Sequence, residues 1–286
     1  MKGRTIILDH INEREAAALM VDGKLSDILV AGDAPAPGTI YRAIADRPVK
    51  GQGGMFLKTP DGSAFLRQVK GLSPGQPLLV QVTGYAEEGK AIPVTQKVLF
   101  KSRYAIVTPD APGLNISRSI RDDDMRDELM VIAKEVMDGR EMGLIIRSCC
   151  AEASPEDIAD DVEEMAQLAD NVINDDSDEM AMLVAGDGPH VLAWRDWTEA
   201  AEVVTQAGGF EDHGVLDALE AAEGAFESFG ASGGMYIEPT RALIAVDVNT
   251  GNDASLAAGI KANMLCARRL PQALRVRGLA GQITLD

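Results

Sequence analysis

Two apolar segments near the C-terminus, each of strand length and each ended by an aspartate, most constrain what this chain can fold into. Residues 241–246 precede Asp247, residues 281–285 precede Asp286, and a helical pattern lies between them. Strands joined through a helix pair in parallel, with a right-handed crossover. Ligands of such sheets gather at the carboxyl ends of the strands. The pattern therefore predicts an α/β sheet with both aspartates at one edge.

The polar groups at that edge suit a hard cation. Neighbouring strands lie ~4.8 Å apart, so the carboxylates of Asp247 and Asp286 can share one ion. Magnesium prefers a few carboxylate oxygens, and it can polarise a phosphoryl oxygen and help to generate a hydroxide nucleophile. Asn249 points to the same side of an extended chain as Asp247, and its amide can orient a scissile phosphate or a water. The alternative is a polar strand end that merely opens a turn.

The segment between the two strands predicts an amphipathic helix over residues 255–269. The spacing of its apolar residues predicts an inward face made of Leu256, Ile260, Met264 and Ala267. Pro271 follows, and a proline inside a helix removes one backbone hydrogen bond. We therefore expect the helix to kink or restart there.

Five short strand-like runs between residues 39 and 98, separated by turn residues, predict a small Greek-key barrel such as an OB fold. Such a barrel binds single-stranded nucleic acid by stacking bases on exposed aromatic side chains along a basic groove. Phe56 and Phe65 are the candidate aromatic residues, and Lys90 lies nearby in a loop. Taken alone, the sequence favours the alternative in which both phenylalanines belong to the barrel core.

The remaining segments predict ordinary α/β elements. Residues 4–9 and 18–31 predict strands with a turn at Asp22-Gly23, and residues 182–184 and 191–194 predict a hairpin. Residues 104–108 and 143–148 predict strands, residues 124–138 predict a helix, and Ser154 followed by Pro155 predicts the start of another helix.

The formal net charge of −18 argues at first against a nucleic-acid partner, but the acidity is local. Residues 151–230 carry 22 acids and one base, so the flanking segments remain free to meet phosphates. A solvated surface is the ordinary explanation of the acidic segment. The three cysteines form no C-x-x-C pair, and no signal peptide or membrane span is apparent. We therefore expect a cytoplasmic protein without a zinc or disulfide framework.

Two motifs resemble the ribonuclease E/G family. Residues 245–251 match A-(I/V)-D-(I/V)-N-(S/T)-G at every position, and residues 274–286 match L-R-(L/V)-R-x-L-x-G-x-(I/V)-x-x-D. Shorter matches fall at residues 115–118, 143–148, 193–197 and 232–234. The resemblance is strongest in the last 55 residues and weak in the barrel.

The resemblance implies a multidomain α+β and α/β chain. An RNase H-like part would comprise residues 1–35 and 191–231, and an OB-fold RNA-binding barrel would occupy residues 36–98. A 5′-phosphate sensor would occupy residues 99–190, and a partial DNase I-like catalytic part would occupy residues 232–286.

The resemblance also implies a reaction, the magnesium-dependent endonucleolytic cleavage of single-stranded RNA to 5′-phosphate and 3′-hydroxyl ends, in RNA processing or decay. The family's metal-binding aspartates fall on Asp247 and Asp286, and its active-site asparagine falls on Asn249. The family's RNA-contacting positions in the barrel fall on Phe56, Phe65 and Lys90.

The family's 5′-phosphate sensor falls on Arg118, Arg147 and Ser148. A guanidinium fork beside a hydroxyl suits a terminal phosphate. The alternative for both arginines is an ordinary surface or salt-bridged role.

The family's catalytic part continues beyond its second aspartate, on which this sequence ends. A second hypothesis is therefore an RNA-binding fragment whose truncated site is inactive. A third is an unrelated α/β enzyme that acts on a small phosphorylated substrate. The family's zinc-linked tetramer is not expected, and a homo-oligomer is left open.

Overall fold

The computed structural model describes residues 3–49, 53–68, 71–87, 89–253 and 255–286 of a mixed α/β protein. The chain divides into two compact units. The first unit comprises Met1–Ala31 and Ala200–Asp286, and the second comprises Gly32–Glu199. None of the helices in the described ranges combines the length and the apolar character that crossing a membrane requires.

The chain begins with an antiparallel meander of three strands, β1 (Arg4–Ile11), β2 (Arg14–Val21) and β3 (Lys24–Val30). The predicted turn at Asp22-Gly23 is confirmed, with φ of 50° and 73°. The first turn escaped prediction because Asn12-Glu13 is not one of the usual pairs for positive φ, although both residues adopt it.

A closed five-stranded barrel follows, consistent with an OB-type fold and with the sequence prediction. Its strands are β4 (Ile40–Val49), β5 (Gly54–Thr59), β6 (Gly62–Leu66), β7 (Pro77–Val82) and β8 (Ile92–Thr95). They pair in the order β4-β5-β6-β8-β7, and β7 closes the barrel against β4. Alternate side chains of each strand fill the barrel, which is how a period of two residues buries one face.

The second unit also contains a four-stranded sheet, whose strands are β9 (Phe100–Lys101), β10 (Ala105–Thr108), β11 (Leu114–Ile116) and β12 (Gly143–Ile146). This sheet has the strand order β11-β12-β10-β9. Two helices, α1 (Asp123–Val136) and α2 (Pro155–Ile173), share a buried apolar cluster with it. As predicted, Ser154 caps α2 by accepting a hydrogen bond from the amide of Asp157, and Pro155 is the first helical residue.

The predicted hairpin at residues 182–194 is wrong. Only its first half is a strand, β13 (Ala181–Val184), and β13 pairs with β4. The second half belongs to a helix, α3 (Pro189–Asp196). A short apolar run fits either element, and here Pro189 stands at the first position of the helix, where proline favours a helical start.

The second segment of the first unit begins with β14 (Glu202–Val204), which pairs in parallel with β1. Two helices follow, α4 (Gly209–Asp212) and α5 (Val215–Glu223). The last sheet consists of β15 (Phe226–Ser228), β16 (Gly234–Pro239), β17 (Ile244–Asn249) and β18 (Ile283–Leu285), in that order. Strands β17 and β18 are parallel, and α6 (Ala258–Val276) joins them. The predicted strand–helix–strand crossover is therefore confirmed.

The predicted inward face of α6 is wrong. Leu256 precedes the helix and is fully exposed, and Ile260, Met264 and Ala267 lie on its solvent side. The buried face instead consists of Ala258, Ala262, Cys266, Leu270, Ala273 and Leu274. Four of these six buried side chains are small, three alanines and one cysteine, and the other two are leucines.

Helix α6 continues through Pro271 to Val276, so it does not restart there, and of the two predicted outcomes the kink stays a prediction. Pro271 lies on the exposed side of the helix. The RNase H-like and DNase I-like character of the parts of this unit stays a prediction.

Candidate functional site

Asp247 and Asp286 are direct neighbours across β17 and the end of β18. The amide of Asp286 donates to the carbonyl of Val246 at 2.9 Å, and the amide of Val248 donates to the carbonyl of Asp286 at 3.0 Å. This pair of bonds extends the parallel ladder by one residue beyond the Val246–Leu285 pair. The two aspartates are therefore opposite each other in the ladder, as the sequence predicts.

The alternation along β17 decides which face carries the carboxylates. Ile244 and Val246 are buried in the apolar cluster that α6 shares with this sheet, whereas Asp247 and Asn249 are exposed on the opposite face. Asp286 is exposed as well. Residues paired in a parallel ladder point to the same side, so both aspartates and Asn249 share the solvent face.

Asn249 holds the carboxylate of Asp247. Its side-chain Nδ2 donates to Oδ2 of Asp247 at 2.8 Å. The sequence suggested that this amide orients a phosphate or a water, and the structure adds a positioning contact within the site. The hydrogen bond fixes the rotamer of Asp247 and leaves Oδ1 for other ligands.

A glycine within the short motif match at residues 232–234 shapes the same edge. Gly233 has a φ of 96°, and a Cβ at this position would lie 1.9 Å from the carbonyl oxygen of Asn249. Only glycine permits both this conformation and this close approach. Gly233 therefore determines how the chain before β16 packs against the end of β17.

This donor set fits magnesium better than a metal that needs an enclosed protein site. Magnesium is bound through one or two carboxylates and keeps several waters, which the exposed pair of aspartates allows. Among the described residues, no group of three or more His, Cys, Asp or Glu side chains could hold a metal ion. The edge thus presents two exposed carboxylates.

Arg118 and Arg147 follow neighbouring strands of the second unit. Strands β11 and β12 pair in parallel, Arg118 lies two residues after β11, and Arg147 directly follows β12. Arg118 and Ser148 are exposed. The structure therefore brings the three predicted sensor residues to the carboxyl ends of two adjacent parallel strands.

Arg147 is not a free guanidinium. Its Nη1 donates to the carbonyls of Ser102 at 2.6 Å and Arg195 at 3.0 Å, and its Nη2 lies 3.3 Å from Oδ1 of Asp196. Burial tends to raise the pKa of Asp196, but its hydrogen bond to Arg195 and the charges of Arg195 and Arg147 hold that pKa below its ordinary value. Arg147 thus combines structural contacts with a partly neutralised charge.

An aromatic–cation pair that no sequence pattern predicted lies beside this arginine. The guanidinium of Arg103 lies 3.8 Å from the ring centroid of Trp194 and also donates to the Trp194 carbonyl. Trp194 is 58% exposed. The pair joins residues that are distant in sequence, so no local pattern could have indicated it.

Phe56 and Phe65 do not belong to the barrel core, so the interpretation that the sequence favoured is wrong. Their neighbours Met55, Leu57 and Leu66 point inward, and the two phenylalanines pair across β5 and β6 on the outer face. Their ring centroids are 5.2 Å apart.

Neighbouring residues support this aromatic pair. The guanidinium of Arg47 lies 4.9 Å from the ring centroid of Phe56. A Cβ at Gly54 would lie 2.4 Å from Cζ of Phe65, so the Phe65 ring lies directly over this glycine. Lys90 is exposed and forms an ion pair with Glu87.

The sequence profile of the ribonuclease E/G family matches residues 100–206 and 195–286. The chain belongs to this family. The matched segments contain the predicted metal-site residues Asp247, Asn249 and Asp286 and the predicted sensor residues Arg118, Arg147 and Ser148. The barrel lies outside the matched segments.

Curated relatives with ribonuclease E or G names align with most of the chain. It is 23% identical to ribonuclease E of Nostoc sp. and 26% identical to ribonuclease E of Synechocystis sp., each over 96% of this chain and 48% or 49% of the relative. It is 24% identical to ribonuclease G of Salmonella typhimurium over 74% of this chain and 51% of the relative. The chain thus spans about half the length of these ribonuclease E/G relatives.

Proposed function

We propose that this chain is a magnesium-dependent endoribonuclease that cleaves single-stranded RNA to 5′-phosphate and 3′-hydroxyl ends, in RNA processing or decay in the cytoplasm. The observation that carries the proposal is the pairing of Asp247 with Asp286 on one exposed strand edge, with Asn249 bonded to Asp247. Family membership supports RNA as the substrate.

Each residue of the edge has a defined part in the proposal. Asp247 and Asp286 would hold magnesium, and Asn249 would steady the Asp247 carboxylate by its hydrogen bond. Bound magnesium supplies polarisation of the phosphoryl oxygen and a more acidic water. Because the edge is exposed, an extended RNA strand can reach it.

The other predicted site residues support RNA binding in the second unit. The paired rings of Phe56 and Phe65, with Arg47 above one of them, resemble the stacking surfaces that hold single-stranded nucleic acid. We propose that Arg118 and Ser148 bind a terminal phosphate directly. Arg147, which is held by backbone carbonyls, adds positive charge beside them.

The test is cleavage of a 5′-monophosphorylated single-stranded RNA oligomer with magnesium, with products resolved on a denaturing gel and their ends identified enzymatically. We expect Asp247→Asn to lower the rate by about 100-fold or more, because the ligand contributes several kcal/mol to stabilising the transition state. Glu238→Gln is the matched control, since Glu238 is an exposed carboxylate on the neighbouring strand β16. Equal cleavage by Asp247→Asn would contradict the assigned role.

Binding and cleavage must be measured separately on the same oligomer. If the wild-type chain binds RNA but does not cut it with magnesium, the endonuclease proposal fails and an RNA-binding role remains. If RNA does not bind even at low salt, where phosphate contacts are strongest, both roles fail.

A further inference from the structure

Two exposed aromatic side chains share a cross-strand row with the carboxylates of the candidate metal site. Phe226 on β15 pairs with Tyr236 on β16, and Tyr236 pairs with Asp247 on β17. Asp247 in turn lies opposite Asp286. Paired residues point to the same side of a sheet. The solvent face therefore carries a row of two aromatic rings followed by two carboxylates.

The two rings form one contiguous surface. Their centroids are 5.0 Å apart and their planes meet at 49°. A Cβ at Gly234 would lie 2.4 Å from Cζ of Phe226, so the Phe226 ring lies against the bare backbone of this glycine. Phe226 is therefore held down on the sheet and supports Tyr236 from one side.

Tyr236 is the ring closest to the metal-site carboxylates in this row. Residues directly opposite in an antiparallel pair have Cβ atoms about 5 Å apart, so the Tyr236 side chain stands beside Asp247, on the side away from Asp286. Tyr236 remains 43% exposed and Phe226 46% exposed. Packing against each other does not bury these rings, and an aromatic face beside the proposed reaction site remains open to solvent.

The charges of these four side chains determine which part of a nucleotide each end of the row can bind. Two carboxylates repel a phosphodiester unless a cation lies between them, whereas the adjoining rings are uncharged and offer a flat π surface. A nucleobase suits that surface, since stacking on aromatic rings does not depend on base identity. The row thus offers separate places for the phosphate and for the base of one nucleotide.

We propose that Tyr236, supported by Phe226, stacks the base of a nucleotide flanking the scissile phosphate of single-stranded RNA. The inference rests on the proposed function and adds a residue that selects the substrate class. A base inside a duplex is stacked on its neighbours and cannot offer its face to Tyr236. The row therefore favours an unpaired strand at the cleaved bond.

The experiment uses the full 286-residue chain and 5′-monophosphorylated RNA oligomers. One oligomer is intact, and two others each lack the base at one nucleotide flanking the cleaved bond. Affinity is measured by fluorescence anisotropy with calcium in place of magnesium, so that a cation is present at the carboxylates, and a gel confirms that the oligomer stays intact. The kcat/KM is measured separately with magnesium. The variants are Tyr236→Ala, Tyr236→Trp and a control, Ile260→Ala, which shortens an exposed side chain on α6.

For the wild type, we expect removal of one flanking base to weaken binding by about ten-fold or more. Tyr236→Ala should weaken binding of intact RNA to a similar extent and show no further loss with the abasic RNA. Tyr236→Trp should behave like the wild type, and so should Ile260→Ala. A structural role of Tyr236 alone would not abolish the response to the missing base.

Two results would overturn the inference while leaving the proposed function intact. One is that Tyr236→Ala binds and cleaves intact RNA like the wild type. The other is that Tyr236→Ala weakens binding but responds to the missing base as the wild type does. If the wild type self-associates and Tyr236→Ala does not, the row contacts a second copy of the chain. That result would also overturn the inference. A wild type that neither binds nor cleaves RNA would refute the proposed function itself.

Discussion

The side-chain amide of Asn249 donates a hydrogen bond to the carboxylate of Asp247 at 2.8 Å, across two residues of one exposed strand edge. Asparagine has no charge to add to the site, so its contribution is orientation. Without the bond, the Asp247 side chain is free to leave the rotamer in which Asn249 holds it. We therefore expect removal of the bond to impair the proposed activity without unfolding the chain.

Asn249→Ala should lower RNA cleavage by about 10- to 100-fold, as is typical when a residue that orients a metal ligand is removed. The thermal midpoint should change little, because Asn249 is exposed. The measurement is the magnesium dependence of the cleavage rate, which should shift to higher magnesium. Asn252→Ala is the control, since Asn252 is an exposed asparagine beyond the end of β17. An unchanged magnesium dependence in Asn249→Ala would contradict the orienting role.

Gly233→Ala should disrupt the end of β17, against which the chain before β16 packs. The added Cβ would lie 1.9 Å from the Asn249 carbonyl oxygen, at a φ of 96° that alanine rarely adopts. We expect a destabilisation of about 1–3 kcal/mol in denaturant unfolding, together with weaker cleavage. Gly230→Ala is the matched control, because Gly230 has a positive φ of 74° but open space around its Cβ position. Equal losses in the two variants would show that only backbone conformation matters.

The strand edge that carries Asp247 and Asp286 could be predicted from the sequence because its signals are local. An apolar run sets the strand, the period of two residues sets the face, and the crossover rule makes the two strands parallel neighbours. Asp247 and Asp286 are therefore brought together by rules that need no knowledge of the rest of the fold. The five barrel strands were predictable for the same reason, since each is a short run between turn residues.

The features that could not be predicted depend on contacts between segments that are distant in the chain. Helix α6 has two apolar stripes, and the sequence could not show that the sheet accepts the small side chains of Ala262 and Cys266 rather than the larger ones of Ile260 and Met264. The register between strands determines which residues align across a sheet, and the sequence of a single strand does not determine that register. For this reason the alignment of Tyr236 with Asp247 could not be predicted from the sequence.

Phe56→Ala should weaken binding of single-stranded RNA by about five-fold or more, since each base stacked on an aromatic ring contributes ~1–3 kcal/mol. Phe56→Leu retains apolar volume without a ring and should lose nearly as much affinity. Phe56 lies outside the barrel core, so neither variant should unfold the chain. The measurement is anisotropy of a labelled oligomer with circular dichroism as the fold check. Full affinity in Phe56→Leu would indicate that apolar contact suffices and that stacking does not occur.

Glu163 should make the second unit more stable at neutral pH than in acid. Its two carboxylate oxygens accept hydrogen bonds from Nη1 and Nη2 of Arg140 at 2.8 and 2.7 Å. This contact with Arg140 holds the pKa of Glu163 below its ordinary value of 4.5. A carboxylate with a lowered pKa stabilises the fold above the ordinary value, and the contribution disappears as the pH falls through the lowered pKa.

Glu163→Gln should therefore cost about 0.5–1 kcal/mol at pH 7, because the Glu163 side chain is 52% exposed and solvent screens the pair. The difference from the wild type should shrink as the pH falls below about 4, where the wild type also loses the charge. The measurement is urea unfolding at a series of pH values. Glu164→Gln is the control, because Glu164 is the adjacent exposed carboxylate on α2. A difference between Glu163→Gln and the wild type that is constant from pH 7 to pH 3 would contradict the pairing, since it would show that the stability does not depend on the charge of Glu163.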